Sequence, residues 1–450
     1  MKKKVWFAEC TKSPDCAAEL QSLIDQCESQ GGGQVRLMAG TYVTSTIYLK
    51  SNVELFLDAG AVLKGVDDYR LYSNQCPRQA PVKDVPMWYD AIIAAVDQNN
   101  IAVRGEGMID GVDCLNPKGE QGFRGPHSLF FFNCENVEVE GITTVRSACY
   151  NIMFEDCEKI KVKDVKIRGG QDGLRFGRCR DAEVIGCDIR SGDDCIGGSG
   201  NYDIKVLDTK LNTPAGSAVL FSCVRFTMKN CLIWSVGEFP AIFNKDKRYS
   251  WNNTAIFVGY DYGYEWTEPS SDWLIEDVRI ENVNCLFRLM WKFDNGALAV
   301  PLRNVVLNRV TGVNLTEPLI AKGSAEKELS LTIRDSDFSF VTDSPDCHGI
   351  FIQADSFNSI SLENTRIRNV CAKPFVLSNG NEVILKETII EKAADESVIN
   401  SDNISKIATE EVNPKTSASR YVVDHIVSIV LPKEQNEEFR GPALYYNPQL

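Results

Sequence analysis

The sequence predicts an all-β solenoid, a coiled stack of short strands with one capping helix at its start. Three observations carry this. Five consecutive segments repeat one pattern at a spacing of 22 or 23 residues, alternation of period two fills each segment, and one amphipathic stretch precedes the strand-like runs. The repeat reads Val137, Val139, Gly141, Ile142; Ile160, Val162, Asp164, Val165; Ala182, Val184, Gly186, Cys187; Ile204, Val206, Asp208, Thr209; and Phe226, Met228, Asn230, Cys231. A fixed period of this size marks units that cannot bury their apolar face alone, so each must stack on its neighbours. The alternation makes the pieces strands and excludes a helical array.

The elements follow in order as one domain over 1–450. Residues 14–30 form the capping helix, with Leu20, Leu23, Ile24 and Cys27 on one face and Gly31 to Gly33 ending it. Regular coils span 34–245, beginning with strand-like runs at 34–37, 42–49, 53–57 and 101–103. An aromatic loop insertion covers 246–272, with Tyr249, Trp251, Tyr260, Tyr262, Tyr264 and Trp266. Further coils at looser spacing occupy 273–395, through Val278, Val305, Leu331, Ile360 and Val383. Terminal strands and a tail complete the chain at 396–450.

Composition narrows the function classes. Hydrophobic residues make up 44% of the 450, enough for a large core, and no apolar run approaches a membrane span. A net charge of -14 argues against a nucleic acid partner, which needs a basic face. Met1 to Cys10 has only a short apolar stretch before Glu9, so a cytoplasmic location is expected. Among the 16 cysteines, Cys134, Cys157, Cys179 and Cys223 share one register, with Asn201 filling the gap, and are expected to stack as small buried residues. With no zinc-type cysteine spacing and only three histidines, no metal site and no cofactor are expected. Self-association is left open.

The repeat also serves as a ruler. At a local period of 22, one column reads Tyr150, Asp172, Asp194, Gly216 and Glu238, and the column before it Cys149, Gln171, Asp193, Ala215 and Gly237. Residues one coil apart lie about 4.8 Å from each other. Asp172 and Asp194 are therefore neighbours, with Asp193 beside them. A lone Asp-Gly or Gly-Asp pair is ordinary turn chemistry. Three carboxylates drawn together repel, raise at least one pKa and favour a shared proton, which suits glycoside hydrolysis. For an inverting pair, acid and base are expected roughly 6.5–9.5 Å apart.

The chain resembles the polygalacturonase family of glycoside hydrolases, from the capping helix to about residue 285. The likeness rests on Gly31-Gly32-Gly33-Gln34-Val35, Ala39-Gly40-Thr41-Tyr42, Leu49-Lys50-Ser51-Asn52-Val53, Gly105-Glu106-Gly107-Met108-Ile109-Asp110-Gly111 and Asn133-Cys134-Glu135-Asn136-Val137. The motifs that bear chemistry are Gly170-Gln171-Asp172, matching the family's Asn-Thr-Asp, and an intact Gly192-Asp193-Asp194-Cys195-Ile196. The resemblance implies a right-handed parallel β-helix and an inverting, metal-independent hydrolase of pectin-derived or related oligosaccharides. It also implies Asp193 as general acid, with Asp172 and Asp194 holding and deprotonating the attacking water. Two departures stand out. The family's Gly-His-Gly falls on Pro214-Ala215-Gly216, and its Arg-Ile-Lys falls near Ala241-Ile242-Phe243.

Further candidates for sugar contact are His127, Tyr150, Arg175, Glu238 in the aspartate column, and Lys245 and Arg248 near the missing Arg-Ile-Lys. The aromatic loop either stacks on sugar rings or packs against its own coil or a second subunit. Two other functions compete with the hydrolase: a β-helix polysaccharide lyase with an Arg or Lys base, and a catalytically silent carbohydrate-binding β-helix.

Overall fold

The computed structural model describes residues 4–9, 13–80, 85, 87–220, 222–240, 252–258, 270–290, 301–341, 349–371, 374–392, 399–410 and 413–415. They build three parallel sheets of 15, 13 and 14 strands, each coil adding one strand to each sheet. The alternation in the sequence is the cause. Val137, Ile160, Ala182, Ile204 and Phe226 stand in register across adjacent coils, as do Val139, Val162, Val184, Val206 and Met228. All point into one continuous core and are at most 2% exposed.

The turn position of the repeat has its own physical reason. Gly141, Asp164, Gly186, Asp208 and Asn230 all adopt positive φ, between 51° and 79°. Glycine, asparagine and aspartate tolerate that conformation best, which is why a small polar residue recurs there.

The helix runs Ala17–Ser29 and buries Leu20, Ile24 and Cys27 against the first coils. The cysteine column is a buried stack, with Cys134, Cys157, Cys179 and Cys223 unpaired by disulfides. Asn201 fits the same column because its amide is satisfied twice, accepting from the Cys179 N–H at 2.9 Å and donating to the Phe176 carbonyl at 2.8 Å.

The stretch expected to be a loop insertion is partly a coil. Asn252–Val258 forms a strand of the 13-stranded sheet, pairing Gly216 with Thr254 and Ala218 with Ile256. The loop aromatics themselves, Tyr249 and Trp251 through Trp266, lie outside the described residues. Beyond residue 395 the described strands are Ile399–Asp402, Lys406–Glu410 and Asn413–Lys415.

A second apolar cluster sits on the outer face of the 13-stranded sheet. Trp88 and Tyr89 cover Phe130, Phe132, Cys149, Tyr150 and Met153. The segment that precedes Ala91–Val96 therefore roofs this sheet on the coils before Asp172.

Candidate active site

Strands Ile152–Glu155, Leu174–Gly177 and Ile196–Ser199 pair Ile152 with Leu174 and Leu174 with Ile196. Asp172 and Asp194 each stand two residues before such a strand, and the ladder continues through them. The Asn151 N–H donates to the Asp172 carbonyl at 2.9 Å, the Gly173 N–H to that of Asp194 at 2.8 Å, and the Cys195 N–H to that of Gly216 at 3.0 Å. Asp193 is pinned by its carbonyl, which accepts from Ser191 Oγ at 2.7 Å and Thr213 Oγ1 at 2.5 Å. One carboxylate oxygen from each of Asp172, Asp193 and Asp194 lies within 4.8 Å of the other two.

Arg124 completes the cluster. Its guanidinium bonds Asp172 and, at 2.5 Å, Asp193 Oδ2, while its Nε lies 3.5 Å from Glu120. The Arg124 side chain is 4% exposed and that of Asp193 13%. In this setting the Asp193 carboxyl is pushed up to about 7, by burial first and the Asp172 charge second, with Arg124 opposing both. Asp194 is held well above the ordinary carboxylate range by burial and then by the charges of Asp193 and Asp172. The Gly216 N–H, donating to Asp194 Oδ1 at 3.0 Å, works the other way.

Coupled acids of this kind titrate as a group and share protons. Such a set can donate a proton to a leaving oxygen and accept one from water near neutral pH. The oxygen-rich donor set has the chemistry of a hard-cation site, but a guanidinium already bonds two of its three members.

Tyr150 heads the column as expected, 7% exposed, with the Arg124 guanidinium 5.5 Å and that of Arg175 5.3 Å from its ring centre. Arg175 is buried, at 6% exposure, with Nε 3.6 Å from the carboxylate of the fully buried Glu155, which Arg78 and Arg178 also approach. It lies on the outer face, in register with Gly197 and one coil further with Val219.

His127, expected to touch sugar, is instead packed inside the protein. The ring is completely buried, Nε2–H donates to the Trp88 carbonyl at 2.7 Å, and Nδ1 accepts from the Tyr150 N–H at 3.2 Å. Burial lowers its pKa to about 3, so it is a neutral structural ring. Glu238 does not continue the aspartate column, because the register puts Thr254 one coil beyond Gly216. Its carboxylate instead pairs with Arg190 at 2.6 Å. Lys245 and Arg248 lie outside the described residues, as does the Ala241-Ile242-Phe243 position.

Arg124 was not singled out by sequence. It comes from the segment 111–126, far longer than the equivalent corner 146–151 one coil later. That extra length, ending in an arginine before the strand His127–Phe132, was the available signal.

Residues 76–219, which hold this cluster, match the family model of glycosyl hydrolases family 28. A probable polygalacturonase of Vitis vinifera is 23% identical over 195 residues, 39% of this chain and 38% of that protein. An endo-polygalacturonase of Pectobacterium parmentieri is 21% identical over 238 residues, 46% of this chain and 58% of its own length. The chain thus spans less than two thirds of these curated relatives. The solved family 28 exopolygalacturonase of Yersinia enterocolitica shares the fold, with a TM-score of 0.60 at 15% identity over 92% of this chain and 80% of that one. The similarity to polygalacturonases lies across the central coils of the chain.

Proposed function

We propose that this chain is a glycoside hydrolase of polygalacturonase type, cleaving pectin-derived or related oligosaccharides. The observation that carries the reading is the set of three carboxylates within 4.8 Å on adjoining coils, two of them with raised proton affinity. In the proposed step the Asp193 carboxyl gives its proton to the glycosidic oxygen as the bond from that oxygen to the anomeric carbon breaks. A water held by Asp172 and Asp194 forms the new bond and passes its proton to the carboxylate that holds it. Tyr150 and Arg175 line the sugar side.

Inversion is supported by the family resemblance alone, and proton NMR of the first anomer released decides it. The roof of Trp88 and Tyr89 over the coils before Asp172 supports attack on chain ends, because a sugar chain crossing the sheet meets that wall at Tyr150. A cytoplasmic site of action is proposed from the sequence; cell fractionation tests it.

The primary experiment is incubation with pectic oligosaccharides of increasing length, expected to release reducing ends one unit at a time. Hydrolysis surviving Asp193→Asn at near wild-type rate would sink the mechanism. An unsaturated, ultraviolet-absorbing product would make the protein a lyase, and binding without turnover a carbohydrate-binding β-helix.

A further inference from the structure

We propose that Arg124 is the positioning residue of the acid cluster, supplying from outside the repeat the positive group that the coil lacks at Ala215. The proposal rests on the hydrolase reading. Among the described residues, Arg124 is the only side chain that forms an ion pair with any of the three aspartates. Its fork joins Asp172 to Asp193, so one guanidinium sets the separation of two carboxylates on adjacent coils.

Ala215 stands one coil beyond Asp193, and the resemblance puts a histidine there. With alanine, position 215 itself offers the cluster a methyl group and no charge. Arg124 approaches from the opposite flank, where Cys149 and Tyr150 precede Asp172.

The segment carrying Arg124 is wound tightly enough to hold it. The Arg124 N–H donates to the Glu120 carbonyl at 3.1 Å, the Asn116 N–H to the Phe123 carbonyl at 2.9 Å, and the Gly125 N–H to the Ala148 carbonyl of the next coil at 3.2 Å. A Cβ at Gly119 would lie 1.7 Å from the Arg124 carbonyl oxygen, and one at Gly125 would lie 1.9 Å from that of Cys114. Both glycines are therefore required for this winding.

Among the described residues, the charged and titratable groups facing Arg124 are Asp172, Asp193 and, less directly, Asp194, with Glu120 from its own segment, Cys149 and Tyr150, and Arg175 across the Tyr150 ring. His127 beneath is neutral. The carboxylates oppose one another, and Arg124 is the bonded cation that keeps an ionised member beside a protonated one. Its loss favours protonation of both partners, so both limbs of the activity profile move to higher pH.

The test compares wild type, Arg124→Met, Arg124→Lys and the double variant Arg124→Met/Ala215→His on one oligosaccharide substrate. Arg124→Met is expected to lower kcat about 100-fold with KM changed less than about threefold, and to raise both limbs of the kcat/KM profile by about one pH unit or more. Arg124→Lys keeps the charge without the fork and is expected to fall between. In the double variant, the imidazole on the opposite flank is expected to recover at least about tenfold in kcat and return the limbs downward.

Limbs that stay in place in Arg124→Met, whatever the loss of rate, overturn the proposal. A double variant with no recovery overturns the link to Ala215. Absence of turnover by the wild type defeats the hydrolase reading instead. The proposal then stands or falls on the pH dependence of urea unfolding, where Arg124→Met must lose stability more steeply than wild type as pH rises.

Discussion

Replacing Asp193 by asparagine removes a charge that folding disfavours, and the cost is measurable without substrate. Its carboxyl stands at about 7 against an ordinary 3.8. The native state thus keeps a proton that the unfolded chain has already released. Stability is full below the unfolded value and is lost as pH rises through the folded one. From pH 5 to pH 7 the loss is about 2 kcal/mol, the full slope of about 1.36 kcal/mol per unit easing as the carboxyl begins to ionise. Asp193→Asn escapes it, so the variant gains about 2–3 kcal/mol on wild type between pH 5 and pH 8. Any fixed cost of seating the amide shifts both pH values equally and drops out of the difference. Relief of Asp194, whose proton affinity is raised partly by Asp193, adds in the same direction. Urea unfolding at the two pH values measures the effect. Parallel pH curves for the two proteins would refute the claim that burial and the Asp172 charge raise the proton affinity of Asp193 in the fold.

Two further outcomes follow from packing. Phe154 is fully buried and stacked between Phe131 at 5.1 Å and Phe176 at 5.3 Å, so Phe154→Ala is expected to cost about 3–5 kcal/mol in urea unfolding; a loss below about 1 kcal/mol contradicts a close-packed core at that coil. His127→Gln is expected to cost about 1–3 kcal/mol by stranding the Trp88 carbonyl or the Tyr150 N–H. Its KM should stay near wild type, and a raised KM with unchanged stability would return His127 to the sugar site.

The coil architecture was legible because one cause repeats. From Val137 to Cys231 each unit has nearly the same length, so a constant period finds the register and places Asp172 beside Asp194. The same ruler failed at Glu238. The chain inserts residues before Asn252–Val258, and a constant step fell short of the true column at Thr254. The burial of His127 was hidden for a different reason. Periodicity tells which strand a residue is on, while its burial comes from Trp88, a residue distant in sequence with no period linking the two. Arg124 was missed for the same reason, since it reaches two coils from a long corner whose length follows no period.

The solenoid explains why an unfavourable acid cluster persists. Parallel register brings equivalent residues of adjoining coils into contact, which favours the cysteine column and the Phe131, Phe154 and Phe176 stack. The same register forces Asp172 and Asp194 together. They cannot separate without breaking ladder bonds such as Gly173 N–H to the Asp194 carbonyl, so the many favourable stacks along the core hold one unfavourable stack in place. Burial first, and then repulsion between fixed neighbours, raises proton affinity where a flexible surface would relax both away. The coils thus set how close the acids stand, whereas the segment 111–126, through Arg124, sets how their charge is balanced. A change confined to that segment is therefore expected to retune acid strength while leaving the sheet register intact.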